Sequence, residues 1–185
     1  MTKARDLANG GFGLVLIKPS SVVNGTDNGK GTVSFSAASS VSLNDVFNST
    51  YTNYKVLISI DSSSADVEMY YRMRLSGTDA SGANYFGSGY QSVYTGSVGQ
   101  DFSDNGTTAG TLGEVSTQGS FMDITFVNPN QALRTQFFSN CHACTAVKEI
   151  FAGGMHGVAT AYNSLTFYPV SGTITGSVSV YGINK

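Results

Sequence analysis

The sequence predicts an all-β fold, an antiparallel β-sandwich or jelly roll with a short N-terminal arm. Three observations lead to this prediction. Apolar and polar residues alternate with a period of two along most of the chain, and clusters of Gly, Asn, Ser and Asp separate the alternating runs at short intervals. Ser and Thr occupy many of the polar positions, which is typical of strands with one face in a core and one in water.

The clearest alternating run covers residues 67–75. Its odd positions are Val, Met, Tyr, Met and Leu, and its even positions are Glu, Tyr, Arg and Arg. Alternation of this length predicts a strand with one buried face. Shorter runs of the same kind indicate about eight strands in all; they cover 33–37, 54–61, 122–126, 133–137, 165–167 and 174–180.

Three segments depart from this pattern. Residues 1–11 have dense charge and good helix formers before a Gly-Gly stop, so we expect a short helix or an extended arm there. The apolar run 12–17 suits a buried strand. Residues 42–47 suggest a single helical turn, because Ser42 can cap it and the apolar residues after it share a face.

The segment 81–119 is rich in Gly, Ser, Thr and Tyr, contains few aliphatic residues and shows no sustained period. A stretch of this kind in a compact domain predicts an elaborated surface loop or hairpin. The predicted organisation is therefore an arm or anchor over 1–11 and one β-sandwich domain over 12–185, which carries a long loop region at 81–119.

Composition excludes several classes of function. The 185 residues include 10 basic and 12 acidic side chains, a net charge of −2, and only 12% are charged. A nucleic-acid-binding protein needs a basic patch or stripe, and ten scattered basic residues do not supply one. The chain has only two His and two Cys, and it contains no nucleophile, phosphate-loop or zinc-protease motif. These observations argue against an enzyme. We expect a structural or binding protein without a cofactor.

The cluster around Cys141 and Cys144 is the one group with metal-ligand chemistry. His142 lies between the two cysteines, and His156 follows fourteen residues later. A Cys-x-x-Cys turn supplies two zinc ligands, but no second pair is present, and residues three apart on a strand point to opposite faces. We expect two structural cysteines and no metal site.

Aromatic residues in the 81–119 segment are the candidates for recognition. Tyr85, Phe86, Tyr90 and Tyr94 lie among Gly and Ser where no strand pattern requires core residues. Tyr beside Ser, Gly and Asn is typical of adaptable binding loops, and the same groups can stack on a sugar. The alternative is that these rings pack the loop onto its own domain or onto a neighbouring subunit.

Residues 43–60 and 162–183 resemble segments of small β-rich virion proteins of tailed bacteriophages. The first contains Phe47, Tyr51 and Tyr54 at the entry to a strand, and the second ends the chain with a Gly-rich alternating strand. Residues 2–9 resemble the leading segment of some phage tail fibre proteins. Together these segments cover about one third of the chain, and they are patterns of packing rather than of catalysis.

The resemblance implies a jelly-roll-like virion component, often a homotrimer, made in the host cytoplasm and attached through its N-terminus. Lys3, Arg5 and Asp6 are then the candidate virion anchor, and a host surface glycan is the expected ligand. A short tail fibre or receptor-binding component is the first expectation. A capsid or neck decoration protein and a carbohydrate-binding module are the alternatives. Since the apolar runs are too short for a signal peptide or a membrane span, no membrane insertion is expected.

The predicted anchor leads to a direct test. Deletion of residues 1–11 should abolish incorporation into particles, because it removes the polar contacts that Lys3, Arg5 and Asp6 would make with another virion protein. Immunoblotting of purified particles measures incorporation. Normal assembly of the truncated protein would show that the arm is not the anchor.

Overall fold

The computed structural model describes residues 13–145 and 147–183, and these residues form two antiparallel β-sheets packed as a sandwich. The predicted all-β sandwich class is confirmed. The strands of the described residues are β1 (Leu14–Ile17), β2 (Ser21–Val23), β3 (Thr26–Asp27), β4 (Thr32–Ala38), β5 (Val41–Asn44), β6 (Asn53–Ser63), β7 (Val67–Leu75), β8 (Thr78–Asp79), β9 (Tyr85–Val93), β10 (Val98–Thr107), β11 (Gly110–Val115), β12 (Ser120–Val127), β13 (Arg134–Ala143), β14 (Lys148–Ala159), β15 (Ser164–Pro169) and β16 (Ile174–Ile183).

The larger sheet has ten strands in the order β10-β9-β14-β13-β12-β6-β16-β4-β3, and β1 pairs with the end of β16. The smaller sheet has six strands in the order β11-β7-β15-β5-β2, with β8 paired to β7. No described residue belongs to a helix with the length and apolar character that crossing a membrane requires.

The alternating runs form the two inner faces of the sandwich. In β6 the side chains of Tyr54, Val56, Ile58 and Ile60 are all buried, as the sequence pattern predicts. The strand β7 likewise buries the odd positions between 69 and 73, while Leu75 at its end is exposed. Because side chains of a strand point alternately to the two faces, this register turns the intervening polar residues outward.

Tyr71 of β7 is packed at the centre of the contact between the sheets. Its ring lies edge-on to three rings of the larger sheet, with centroid distances of 5.5 Å to Tyr85, 5.3 Å to Phe126 and 5.0 Å to Phe137. Edge-to-face packing is the favoured geometry for aromatic pairs and adds to the free energy gained from burial. Gly110 of β11 makes room for this ring, since a Cβ atom at position 110 would overlap it.

Two local predictions differ from the structure. Residues 42–47 do not form a helical turn, because residues 41–44 are strand β5, held between β15 and β2. The Ser42 hydroxyl does not cap a helix and lies 2.9 Å from the Thr166 hydroxyl of the neighbouring strand. The predicted buried strand at 12–17 is formed as β1, but Leu14 and Val15 are exposed and only the Ile17 side chain is buried.

The segment 81–119 is a set of strands rather than a long loop. It contributes β9, β10 and β11, and β9 with β10 form the hairpin that the sequence left open as an alternative. Gly and Ser hide the strand period here, because small residues make room for larger partners. At Gly89, for example, a Cβ atom would overlap the Phe102 ring that packs against it. The predicted arm at 1–11 lies outside the described residues.

Adjacent phenylalanines on β13 give a matched test of this register. Phe137 is buried and Phe138 is exposed on the opposite face of the same strand. We expect Phe137→Ala to lower the free energy of unfolding by about 3–5 kcal/mol because it leaves a cavity beside Tyr71. Phe138→Ala should change it by less than about 0.5 kcal/mol. Urea unfolding of both variants measures the difference, and equal losses would refute the register.

Candidate functional site

Four exposed aromatic side chains lie on the outer face of the larger sheet. Tyr90 of β9, Phe121 of β12, Phe138 of β13 and Phe151 of β14 are 61%, 45%, 61% and 57% exposed. They are here called the aromatic face. Large apolar side chains clustered at outward positions are uncommon on a sheet in contact with water and typically mark a surface that binds something.

The strand register brings three of these rings together. Tyr90 and Phe151 are directly paired across β9 and β14, while Phe138 of β13 is paired with Gly153, two residues further along β14. Neighbouring strands are about 4.8 Å apart, so the surface from Tyr90 to Phe138 extends over about 10 Å. Phe121 lies at the margin of this group, opposite His142.

Gly153 supports the position of the Phe138 ring. A Cβ atom built at Gly153 would lie 3.5 Å from Cδ1 of Phe138. With no side chain of its own, Gly153 leaves the space over its strand to the phenyl ring. An aromatic ring packed over a cross-strand glycine compensates for the missing side chain and limits the ring's freedom.

Polar groups surround the rings of the aromatic face. Asn140 is opposite both Phe151 and Asp123, and Gln136 and Thr125 lie on the same face. Both amides are on exposed residues, and amides donate as well as accept hydrogen bonds. The surface therefore combines flat apolar rings with neutral hydrogen-bonding groups.

Two carboxylates of this face, those of Asp123 and Glu149, each have a side-chain partner. Lys55 Nζ lies 2.8 Å from Asp123 Oδ1, and His142 Nδ1 lies 2.6 Å from Glu149 Oε1. Neither carboxylate is left without a partner beside the rings. A ligand rich in hydroxyls suits such a surface better than a highly charged one.

Tyr85 does not belong to a recognition surface, which corrects the sequence prediction for this residue. Its side chain is fully buried, where its hydroxyl donates to the Ala80 carbonyl at 2.7 Å and accepts from the Met73 amide at 3.0 Å. Burial raises the pKa of this hydroxyl above its ordinary value. Tyr85 is thus a core residue that links β9 to β7.

The other three predicted aromatic residues are separated along β9 and its turn. Tyr90 belongs to the aromatic face, and Phe86 is half-buried opposite Met155. Tyr94 is 75% exposed at the turn that follows β9. Sequence reasoning missed Phe121, Phe138 and Phe151, although each occupies a position where the alternation calls for a polar residue. The candidate anchor residues Lys3, Arg5 and Asp6 lie outside the described part of the chain.

The residues of the predicted cysteine cluster are dispersed. Cys141 is buried, its thiol donates to the Glu114 carbonyl at 3.3 Å, and burial raises the pKa of the thiol to about 12. Cys144 is half-exposed, and both cysteines are free. Across residues 13–145 and 147–183, no three potential ligands from His, Cys, Asp and Glu converge in a way that could hold a metal ion.

His156 lies in the core, on the opposite side of its strand from the aromatic face. Its ring centroid is 4.5 Å from that of Tyr85 and 5.1 Å from that of Tyr162. Removal of the ring from water disfavours the charged imidazolium and lowers the pKa of His156.

No protein-family model and no curated protein matches the chain. Solved structures similar to it include the galectin LEC-6 of Caenorhabditis elegans, with 10% identity and a TM-score of 0.35 over 86% of this chain and 94% of that one. Domain 4 of the arabinanase AbnA from Geobacillus stearothermophilus, solved with arabinotriose, has 12% identity and a TM-score of 0.36 over 95% and 85% of the two chains.

A phage protein is also among the similar structures. Tailspike protein 2 of Escherichia coli O157:H7 bacteriophage CAB120 has 12% identity and a TM-score of 0.33, and the match covers 94% of this chain and 25% of that one. The similar structures thus include a galectin, a domain bound to an oligosaccharide and a phage tail protein. Identity and TM-score this low concern the general β-rich architecture and do not assign a ligand.

Burial of His156 is expected to make the free energy of unfolding depend on pH. The unfolded chain titrates His near pH 6.5, whereas folding lowers the pKa of His156, so the unfolded state binds more protons as the pH falls. We therefore expect His156 to destabilise the fold progressively below about pH 6.5. Urea unfolding at pH 7.5 and 5.5 should show a smaller pH-dependent loss in His156→Phe than in the wild type.

The only other histidine serves as the control. His142→Gln removes a partly exposed imidazole that lies outside the core beside Glu149, so this variant should keep the loss that burial of His156 causes between the two pH values. If His142→Gln abolished the loss and His156→Phe retained it, the assignment to His156 would be wrong.

Proposed function

We propose that this protein is a non-enzymatic, receptor-binding component of a bacteriophage virion and that it binds a host-surface glycan through the aromatic face. The observation that carries the glycan part of the proposal is the in-register group of exposed rings at Tyr90, Phe151 and Phe138. The virion part rests on the sequence resemblance of residues 43–60 and 162–183 to phage virion proteins.

The chemistry of the aromatic face suits a saccharide. One side of a sugar ring presents several C–H groups, which carry partial positive charge and pack against the negative face of an aromatic ring. Burial of the exposed rings adds about 25 cal/mol for each Å² of apolar surface removed from water. The amides of Asn140 and Gln136 flank the rings and can bond to sugar hydroxyls.

The dimensions favour a short oligosaccharide over a single sugar. The three rings span about two strand spacings, or about 10 Å, across the sheet. A chain of sugar units laid across β9, β14 and β13 would meet each ring in turn. When each subsite binds weakly, the overall affinity rises if several copies of the protein bind at the same time. A particle that carries several copies would supply this multivalency.

The carboxylates of this face favour binding over hydrolysis. A glycosidase places two carboxyl groups on opposite sides of the scissile bond, about 5–9.5 Å apart, with one free to give a proton. Asp123 and Glu149 are instead bound to Lys55 and His142. A ligand on the aromatic face would therefore be held without being cleaved.

In the virion we place the sandwich as the distal part of a short tail fibre or similar component. The N-terminal arm, with Lys3, Arg5 and Asp6, would dock on another virion protein, and the sandwiches would associate as a homotrimer with the aromatic face turned outward. Edge strands such as β10 and β3 would then be covered by neighbouring copies, which is a common way to protect sheet edges.

Substitution of the rings tests glycan binding. The double variant Phe138→Ser/Phe151→Ser should weaken binding to a glycan array and to host cells at least tenfold, because it removes two stacking surfaces and leaves the core intact. Tyr94→Ser is the matched control, since it removes an exposed aromatic ring outside the aromatic face. It should bind as the wild type does.

Sedimentation of the same variants separates binding from assembly. If the double variant bound normally but lost its oligomeric state, the rings would form a contact between subunits and the glycan proposal would fail. Unchanged adsorption with unchanged assembly would refute it as well.

A further inference from the structure

A polar groove lies on the outer face of the smaller sheet, on the other side of the sandwich from the aromatic face. It has a volume of about 360 Å³. We call it the Arg72 groove, and its lining includes Ser39, Ser40, Arg72, Arg74, Thr166 and Tyr168. Arg72 and Arg74 are two residues apart on β7 and thus point to the same face.

Both Nη groups of the Arg74 guanidinium are engaged in the floor of the groove. Its Nη1 lies 2.7 Å from Asp79 Oδ1, 3.1 Å from Thr166 Oγ1 and 3.2 Å from Ser42 Oγ, and these three oxygens share its two hydrogens. Its Nη2 donates to the Gly77 carbonyl, and the side chain is 12% exposed. Arg74 and Asp79 neutralise each other, so this pair is structural and leaves the groove floor rigid.

Arg72 differs from Arg74 because only one edge of its guanidinium is engaged. Its Nε donates to the Thr108 carbonyl at 3.0 Å, and its Cζ lies 5.2 Å from the centroid of the Tyr168 ring. Within the described residues neither Nη group is bonded to a carbonyl or a carboxylate, and stacking and the Nε bond hold the plane in place. An arginine held in this way loses little conformational freedom when it binds a planar anion.

The charge in the groove is that of a single cation. Arg72 and Arg74 supply two positive charges against the one negative charge of Asp79, so one positive charge is left. Glu68 and Asp104 are further carboxylates near this side, but neither lines the groove; Glu68 accepts from the Tyr70 hydroxyl at 2.7 Å and Asp104 accepts from the Thr111 amide at 2.8 Å. The excess charge thus belongs to Arg72.

We propose that the Arg72 groove binds the carboxylate of an acidic sugar. A carboxylate is planar and singly charged, and it matches the two free Nη groups of Arg72 in a bidentate pair. The hydroxyls of Ser39 and Ser40 line the groove and can bond to the sugar hydroxyls, while the Tyr168 ring offers an apolar surface beside the guanidinium. A phosphate dianion suits the site less well, because a single unbalanced cation faces it.

The site is independent of the aromatic face. The two surfaces belong to different sheets and share no residue. The present proposal rests on the proposed glycan binding at Phe138 and Phe151 in one respect only, which is that the carboxylate is assigned to a sugar. Variants of one surface therefore serve as controls for the other.

Titration with glucuronate, with glucose and with inorganic phosphate tests the proposal. In ¹H–¹⁵N NMR spectra of the full chain, glucuronate should shift the Nε–H signal of Arg72 and the amides of Ser39 and Ser40. Glucose and phosphate should shift them at least tenfold less at the same concentration. Equal shifts with phosphate would show a general anion site and overturn the assignment to a carboxylate.

Substitution of Arg72 tests the geometry. Arg72→Gln should weaken glucuronate binding at least tenfold, and Arg72→Lys should weaken it also, since it keeps the charge and loses the planar pair of donors. Arg134→Gln removes an exposed arginine on the larger sheet and should bind normally, as should Phe138→Ser/Phe151→Ser. Wild-type binding by a folded Arg72→Gln, or by Arg72→Lys, would refute the bidentate site.

Discussion

Packing around the Tyr71 ring determines how the two sheets fit together. Tyr71 comes from the smaller sheet, and its three edge-to-face partners, Tyr85, Phe126 and Phe137, come from the larger one. The ring is fully buried, and Gly110 provides the space it needs. A shift of one residue in any of these strands would turn a core ring outward, so this contact holds the register of both sheets.

The aromatic face follows from that register. With Phe137 directed into the core, its neighbour Phe138 must point outward, and the pairing of β13 with β14 then places Phe151 and Tyr90 beside it. The same reasoning applies to β7, where burial of Tyr71 and Met73 turns Arg72 and Arg74 to the opposite surface. One core contact thus supports two outer surfaces with different chemistry, one lined by exposed aromatic rings and the other by two arginines.

The local sequence identified the strands in which apolar and polar residues alternate strongly. Prediction failed where packing partners, rather than alternation, decide the structure. The run 67–75 and the run 54–61 have large apolar residues at every second position, and both are strands with the predicted faces. Residues 42–47 have a helical pattern by themselves, but pairing with β15 and β2 makes residues 41–44 a strand. In β9, Gly89 leaves room for the Phe102 ring of the neighbouring strand β10, so no period of large apolar residues appears in the sequence.

The sequence by itself determined the all-β class, the inner face of the long strands and the low charge of the surface, because each depends on residue type and on a period of two. Tertiary structure alone decided which aromatic rings are available to a ligand. Tyr85 and Tyr90 lie in the same Gly- and Ser-rich segment, yet one is in the core and the other exposed. The difference arises from strand pairing, which brings Tyr90 of β9 beside Phe151 and Phe138 of the consecutive strands β14 and β13, although β10, β11 and β12 lie between them along the chain.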